Sequence, residues 1–140
     1  METFAANLET MVRTPLSAEH VAAMRTVGTL IDVKAGDWFQ KAGERIQTFH
    51  YLLEGETEAI NAATGQRYGS ATLGPGQFFG ELAFLNEGRA RRGGRAVVDT
   101  KLLCVPRDEM LKLMSDIPEM SDIIITVFAA RRRRMLERSE

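Results

Sequence analysis

The feature that most constrains this chain is its punctuation. Between residues 29 and 105, turn signals recur at short intervals: Ala35-Gly36-Asp37, Ala42-Gly43-Glu44, Glu54-Gly55, Thr64-Gly65, Gly74-Pro75-Gly76, Gly80 and Gly93-Gly94. An average helix of about 11–12 residues has no room between such breaks, whereas strands of about 5–6 residues do. The intervening runs are β-type, at residues 30–33, 38–40, 48–53, 56–61, 68–73, 95–99 and 102–105. The run 48–53 is the strongest, because alternation puts Phe49, Tyr51 and Leu53 on one face. Glu54-Gly55 then reads as a hairpin turn. Many short strands at this spacing predict a sandwich or roll.

The period changes on both sides of this region. Phe4, Leu8, Met11 and Val12 have helical spacing within residues 2–12, and Thr14-Pro15 ends that run. Ser17 is expected to cap a second helix, with Glu19 in its first turn and Val21, Met24 and Val27 on its apolar face. Gly28 reads as its terminating C′ glycine. Helical spacing returns after Pro106 with Met110, Leu111 and Met114. Pro118 suits the first turn of a last helix reaching about residue 137, striped by Met120, Ile123, Ile124, Val127 and Phe128. The expected chain is mainly β with flanking helices, a single domain over residues 1–140. Helices occupy 2–28, strands 29–106 and the C-terminal helices 107–138.

Composition narrows the function classes. A formal net charge of −1 over 140 residues gives no whole-chain reason to expect nucleic acid or membrane as a partner. Arg131 to Arg134 lie about 100° apart around a helix, so no single packed face can hide them, and an exposed helix end is expected. The longest apolar run, residues 123–130, is far short of the roughly twenty residues of a membrane span. No basic segment followed by an apolar block opens the chain, so no signal peptide is expected. The single cysteine, Cys104, lies in the apolar run Leu102-Leu103-Cys104-Val105. It reads as a buried thiol in a reducing, cytoplasmic setting. His20 and His50 lack cysteine partners, so no metal site is expected, and Trp38 and Phe39 read as core. No nucleophile–base pair or carboxylate dyad stands out, so the chain is not expected to be an enzyme.

The chemistry concentrates in Gly76-Gln77-Phe78-Phe79-Gly80-Glu81-Leu82-Ala83-Phe84-Leu85 and the basic loop behind it, which holds Arg89, Arg91, Arg92 and Arg95. A carboxylate and several guanidiniums across a short loop can grip a ligand that carries both hydroxyls and a negative group. This stretch and the order of Gly36, Gly43, Gly55, Gly76 and Gly80 resemble the cyclic nucleotide-binding domain family, and the likeness covers nearly the whole chain. The resemblance implies an eight-stranded jelly-roll β-roll, with cAMP or cGMP under a phosphate-binding cassette made of a short helix and loop. It implies ligand contacts from Phe79, Gly80, Glu81, Leu82, Ala83, Arg91, Arg92 and Gly93. In that scheme Glu81 accepts from the ribose 2′-hydroxyl, and free amides at the start of the short helix meet the phosphate. An arginine neutralises the phosphate through a charge-assisted contact.

This chain departs from the family's usual Pro-Arg-x-Ala-Thr/Ser, reading Arg89-Ala90-Arg91-Arg92-Gly93-Gly94-Arg95-Ala96. Counted without a gap from Glu81, the phosphate arginine falls on Ala90, so Arg91 is the expected contact and Arg89 the alternative. The family's small hydroxyl residue falls near Arg92-Gly93 and is missing. Residues 117–124 and 128–132 resemble bacterial chains in which such a domain precedes a thioredoxin-reductase-like flavoenzyme. The expected function is a regulatory domain that senses cAMP or cGMP and relays it through the last helix to a partner or fused effector. The alternative is a fold that has lost nucleotide binding and serves as a dimerisation module, pairing through Ile123, Ile124, Val127 and Phe128.

Overall fold

A computed structural model describes residues 16–61, 63–67, 72–80, 90 and 92–138, with backbone alone at 131, 132 and 134–138. The helix expected at residues 2–12 and most of the strand expected at 68–73 lie outside the described residues.

Helix α1 spans Ala18–Val27 and starts as expected at Ser17, whose Oγ accepts from the His20 amide at 3.2 Å. The His20 Nδ1 in turn accepts from the Ser17 amide at 3.3 Å, so histidine takes the place that glutamate or glutamine usually fills in a capping box. Gly28 follows, but at φ −106° it is extended rather than left-handed. Glycine is needed there for room: a Cβ would lie 2.9 Å from both the Leu103 side chain and the Met24 carbonyl. The expected reason for this glycine is therefore corrected from a turn conformation to a close approach.

The strands are β1 Thr29–Val33, β2 Trp38–Gln40, β3 Thr48–Glu54, β4 Thr57–Ile60, β5 Phe78–Phe79, β6 Gly93–Ala96 and β7 Thr100–Pro106. They form two sheets, a four-stranded one in the order β1-β7-β3-β5 and a three-stranded one in the order β2-β6-β4. All pairings within them are antiparallel. The hairpin expected at Glu54-Gly55 is corrected: β3 and β4 lie in different sheets, and the chain crosses from one sheet to the other at Gly55, at φ +102°, where a Cβ would also lie 2.7 Å from the Asp99 carbonyl. Here both the left-handed conformation and the crowding demand glycine.

Alternation along β3 sorts the core into two layers. Phe49 and Tyr51 face the helices, with Phe78, Leu103 and Val105 beside them. Met24 of α1, Met110 of α2 (Arg107–Asp116) and Met120, Ile124, Val127 and Ala130 of α3 (Pro118–Arg138) cover that face. Leu52 points the other way, into the space between the sheets, with Val33, Ala96 and Leu102 and with Phe39, Leu73, Phe79 and Cys104 packed around them. Burial raises the Cys104 thiol to about 11, so it stays protonated at neutral pH.

The last helix begins at Pro118, as the missing amide of proline favours, and its 21 residues extend about 30 Å. Its apolar stripe is used within the chain. Ile124 and Val127 have no exposed surface, and the Phe128 ring meets Phe49 at 6.3 Å and Phe78 at 5.5 Å between centroids. Ile124 and Val127 are therefore spent inside the chain, whereas Ile123 and Phe128, the other members of the expected pairing face, are half-buried. Among the described residues of α3, the large apolar side chain turned outward is Ile125, 58% exposed.

Candidate functional site

The expected cassette leaves the sheet at Phe78-Phe79-Gly80. The pair β3–β5 sets His50 opposite Phe79 and Tyr51 opposite Phe78. Consecutive strand residues point to opposite faces. Phe78 therefore enters the helix layer, while Phe79 enters the space between the sheets. There it stacks on the His50 imidazole at 4.7 Å and 11° and meets Phe39 at 5.2 Å. Gly80 follows at φ +112°, and a Cβ would sit 2.7 Å from the Thr48 carbonyl. Only glycine lets the chain pass this close to β3 while turning away from it.

Glu81, Leu82, Ala83, Arg89 and Arg91 lie outside the described residues. The far end of the segment is anchored at Ala90, which is buried. Its amide donates to the Glu44 carbonyl, and its carbonyl accepts from the Gly43 amide, both at 2.7 Å. The Arg92 carbonyl accepts from the Gln40 side-chain amide at 3.2 Å. The segment is thus tied at one end to β3 and at the other to the turn between β2 and β3.

The family's small hydroxyl residue is missing near Arg92-Gly93, and the structure supplies a reason for glycine at Gly93 and at Gly94. A Cβ on Gly93 would meet Cζ3 of Trp38, and one on Gly94 would meet Cε2 of Phe39. The aromatic rings of β2 occupy the volume that side chains on β6 would otherwise take. Phe39 is core, as expected. Trp38 is not: it is 43% exposed, and the Arg95 guanidinium lies 5.2 Å from its ring.

The arrangement that sequence reasoning missed lies beside that tryptophan. The register of the three-stranded sheet puts Trp38, Arg95 and Glu58 in one row. Glu58 Oε1 accepts from Arg95 Nε at 2.8 Å and Nη2 at 2.7 Å. Its Oε2 accepts from Arg67 at the same two distances. The Arg95 and then the Arg67 hydrogen bonds hold this carboxyl below the usual carboxylate range, against the opposing effect of its burial. Arg95, the first residue of the run expected at 95–99, lies within β6 and is a fixed member of this row. A lone acid in the run Thr57-Glu58-Ala59-Ile60 was the only signal available, and it means little until the register is known.

His50 is buried, and its Nδ1 has no hydrogen-bond partner among the described residues. Burial lowers its pKa to about 4, so the ring is neutral at pH 7. A separate groove of about 450 Å³ runs between α1 and β3, lined by Leu16, Val21, Arg25, Tyr51 and Leu53, on the opposite side of the sheet from Phe79. Among the described residues no three acidic, histidine or cysteine side chains gather as metal ligands, and no helix is long and apolar enough to cross a membrane.

Residues 30–116, more than half of the 140, match the family model for the cyclic nucleotide-binding domain. The chain belongs to the cyclic nucleotide-binding domain family. It is similar to the cyclic AMP receptor protein of Thermus thermophilus, 38% identical over 92 residues that make up 65% of this chain and 43% of that protein. It is also similar to a CRP-like cAMP-activated global transcriptional regulator of Mycobacterium tuberculosis, 24% identical over 115 residues, 81% of this chain and 51% of the regulator. The chain thus spans about half the length of these curated relatives. Among solved structures, the catabolite activator protein of Thermus thermophilus superposes with a TM-score of 0.75 at 27% identity, over 92% of this chain and 62% of that one. The two antiparallel sheets and flanking helices are the β-roll of this cyclic nucleotide-binding family.

Proposed function

We propose that this chain is a regulatory domain that binds a cyclic mononucleotide at the segment between Gly80 and Gly93 and relays binding through α3. The observation that carries the reading is the way both ends of that segment are built. Gly80 is forced by its φ and by the Thr48 carbonyl, and Ala90 is held by two backbone hydrogen bonds. A loop of that length is fixed at its ends where the family holds its ligand. In this reading Glu81 accepts from the ribose, and Arg91 neutralises the phosphate, with Arg89 as its alternative.

The relay has a physical route. Phe79 precedes Gly80, and its neighbour Phe78 touches Phe128 of α3. A shift of the strand end that moves Phe79 must move Phe78 and so the helix. A second copy, a fused flavoenzyme and a DNA-binding segment are all effectors compatible with such a movement. The names of the curated relatives favour transcriptional regulation through ligand binding rather than catalysis.

The test is thermal unfolding of the intact chain with cAMP and with cGMP. At a hundred times its dissociation constant a true ligand stabilises the fold by about 2.7 kcal/mol. Glu81→Ala should remove most of that gain. No shift with either nucleotide at millimolar concentration would leave the second reading, a pairing module without ligand. Ile125 supports that second reading, because it is a large apolar side chain more than half exposed on α3.

A further inference from the structure

We infer that His50 donates a hydrogen bond, from inside the β-roll, to a phosphate oxygen of the bound cyclic nucleotide. The inference rests on the cyclic nucleotide reading above and adds to it a contact from β3, outside the segment between Gly80 and Gly93. Phe49 and Tyr51 face the helices, so alternation turns His50 and Leu52 to the space between the sheets. That space is not filled evenly. Around Leu52 it is closed by Val33, Ala96 and Leu102, all buried. Around His50 the inward side chains of Phe39, Phe79 and Cys104 are only half-buried, and Gly94 brings no side chain. The roll therefore opens at the His50 end.

Both ends of the proposed binding segment meet this opening. Phe79, stacked on the His50 ring, is followed directly by Gly80. Phe39, 5.8 Å from the His50 ring centroid, occupies the space of a Gly94 side chain, one residue beyond Gly93. A single aromatic ring thus separates His50 from either end of the segment. A phosphate held by that segment lies over the opening, where the 8% of His50 that stays exposed can meet it.

The imidazole has the right chemistry for this contact. Burial keeps it neutral at pH 7, so it holds one N–H and one bare nitrogen. Among the described residues, its Nδ1 is the one sealed side-chain nitrogen or oxygen without a hydrogen-bond partner. A bare lone pair is left without a partner more readily than an N–H, so the proton belongs on Nε2. The ring therefore offers a neutral donor to the ligand, and a hydrogen bond from such a donor to an ionised oxygen is stronger than one between neutral groups. Cys104, opposite His50 in the register, is a protonated thiol at neutral pH and puts no negative charge beside the phosphate. The chain lacks the family's small hydroxyl residue near Arg92-Gly93, and His50 supplies a neutral donor from a different strand.

Calorimetric titration of the intact chain with cAMP and with cGMP measures the contact. His50→Phe keeps an aromatic ring beside Phe79 and removes the N–H. It should weaken whichever nucleotide binds by about tenfold, the scale of one hydrogen bond to a charged group. His50→Gln keeps an N–H donor and should stay within about threefold of the wild type. Wild-type affinity in His50→Phe would overturn the inference. Equal weakening in both variants would overturn it too, by assigning the loss to packing. If neither variant folds, imidazole nitrogen NMR of the wild-type chain carries the test, because His50 shares the spectrum with His20 alone. Nucleotide should shift the His50 Nε2 signal and not that of His20, and an unmoved His50 signal at saturation would overturn the inference. Each of these negative results leaves the cyclic nucleotide reading standing, whereas binding of neither nucleotide to the wild-type chain would overturn both together.

Discussion

Phe78→Ala should lower the stability of the chain by about 3–5 kcal/mol, the usual cost of emptying a fully buried phenylalanine site. Phe78 has no exposed surface and sits where three elements meet. Its ring lies 5.3 Å from Phe49 of β3 and 5.5 Å from Phe128 of α3. The neighbours cannot collapse into the space, because β5 is fixed to β3 by its register and α3 is held by Met120, Ile124 and Val127. Denaturant unfolding followed by circular dichroism measures the loss. A cost below about 1 kcal/mol, far under the expected range, would mean that this contact does not join the cassette to the helix. Leucine at the same position should recover part of the stability but weaken any ligand-induced change at α3.

Acid should unfold the chain through His50. The ring is buried between Phe79 and Phe39, and burial disfavours its protonated form. Its pKa in the fold is about 4, against 6.5 for an ordinary histidine. The unfolded chain therefore binds the proton more readily than the folded one between these values. The stability attached to this group is fully present above pH 6.5, declines as the pH falls below it, and is essentially lost near pH 4. The gap corresponds to about 3 kcal/mol, since one unit is worth about 1.4 kcal/mol. Equilibrium unfolding at several pH values between 7 and 4 should show this decline, and His50→Phe should flatten it over the upper part of that range. A decline of the same size in His50→Phe would assign the acid sensitivity to other groups.

Much of the architecture was legible because it rests on local signals. Ser17 caps a helix, and Phe49 and Tyr51 share a face, as residue spacing implied, whereas Gly55 turns the chain from one sheet to the other instead of closing the expected hairpin. Pro118 opens the last helix for the reason read from its missing amide. What was not legible depends on pairs far apart in the chain. Glu58, Arg67 and Arg95 meet only through the register of β4 and β6, and nothing in their sequence spacing declares it. The apolar stripe of α3 looked available for a partner because periodicity shows that a face is buried but not against what. Here Ile124 and Val127 bury it against the chain's own sheet. Gly28 and Gly93 show a related limit. Both mark close approach of a distant side chain rather than a turn, and a sequence cannot distinguish the two demands.

A crystal structure of the chain with a cyclic nucleotide, soaked as cAMP and as cGMP, tests the central claim most directly. The account predicts that the cyclic phosphate lies against the segment between Gly80 and Gly93, with the ribose at Glu81. A nucleotide bound elsewhere on the chain, or crystals grown in saturating cAMP and in saturating cGMP with no nucleotide in the β-roll, would contradict it.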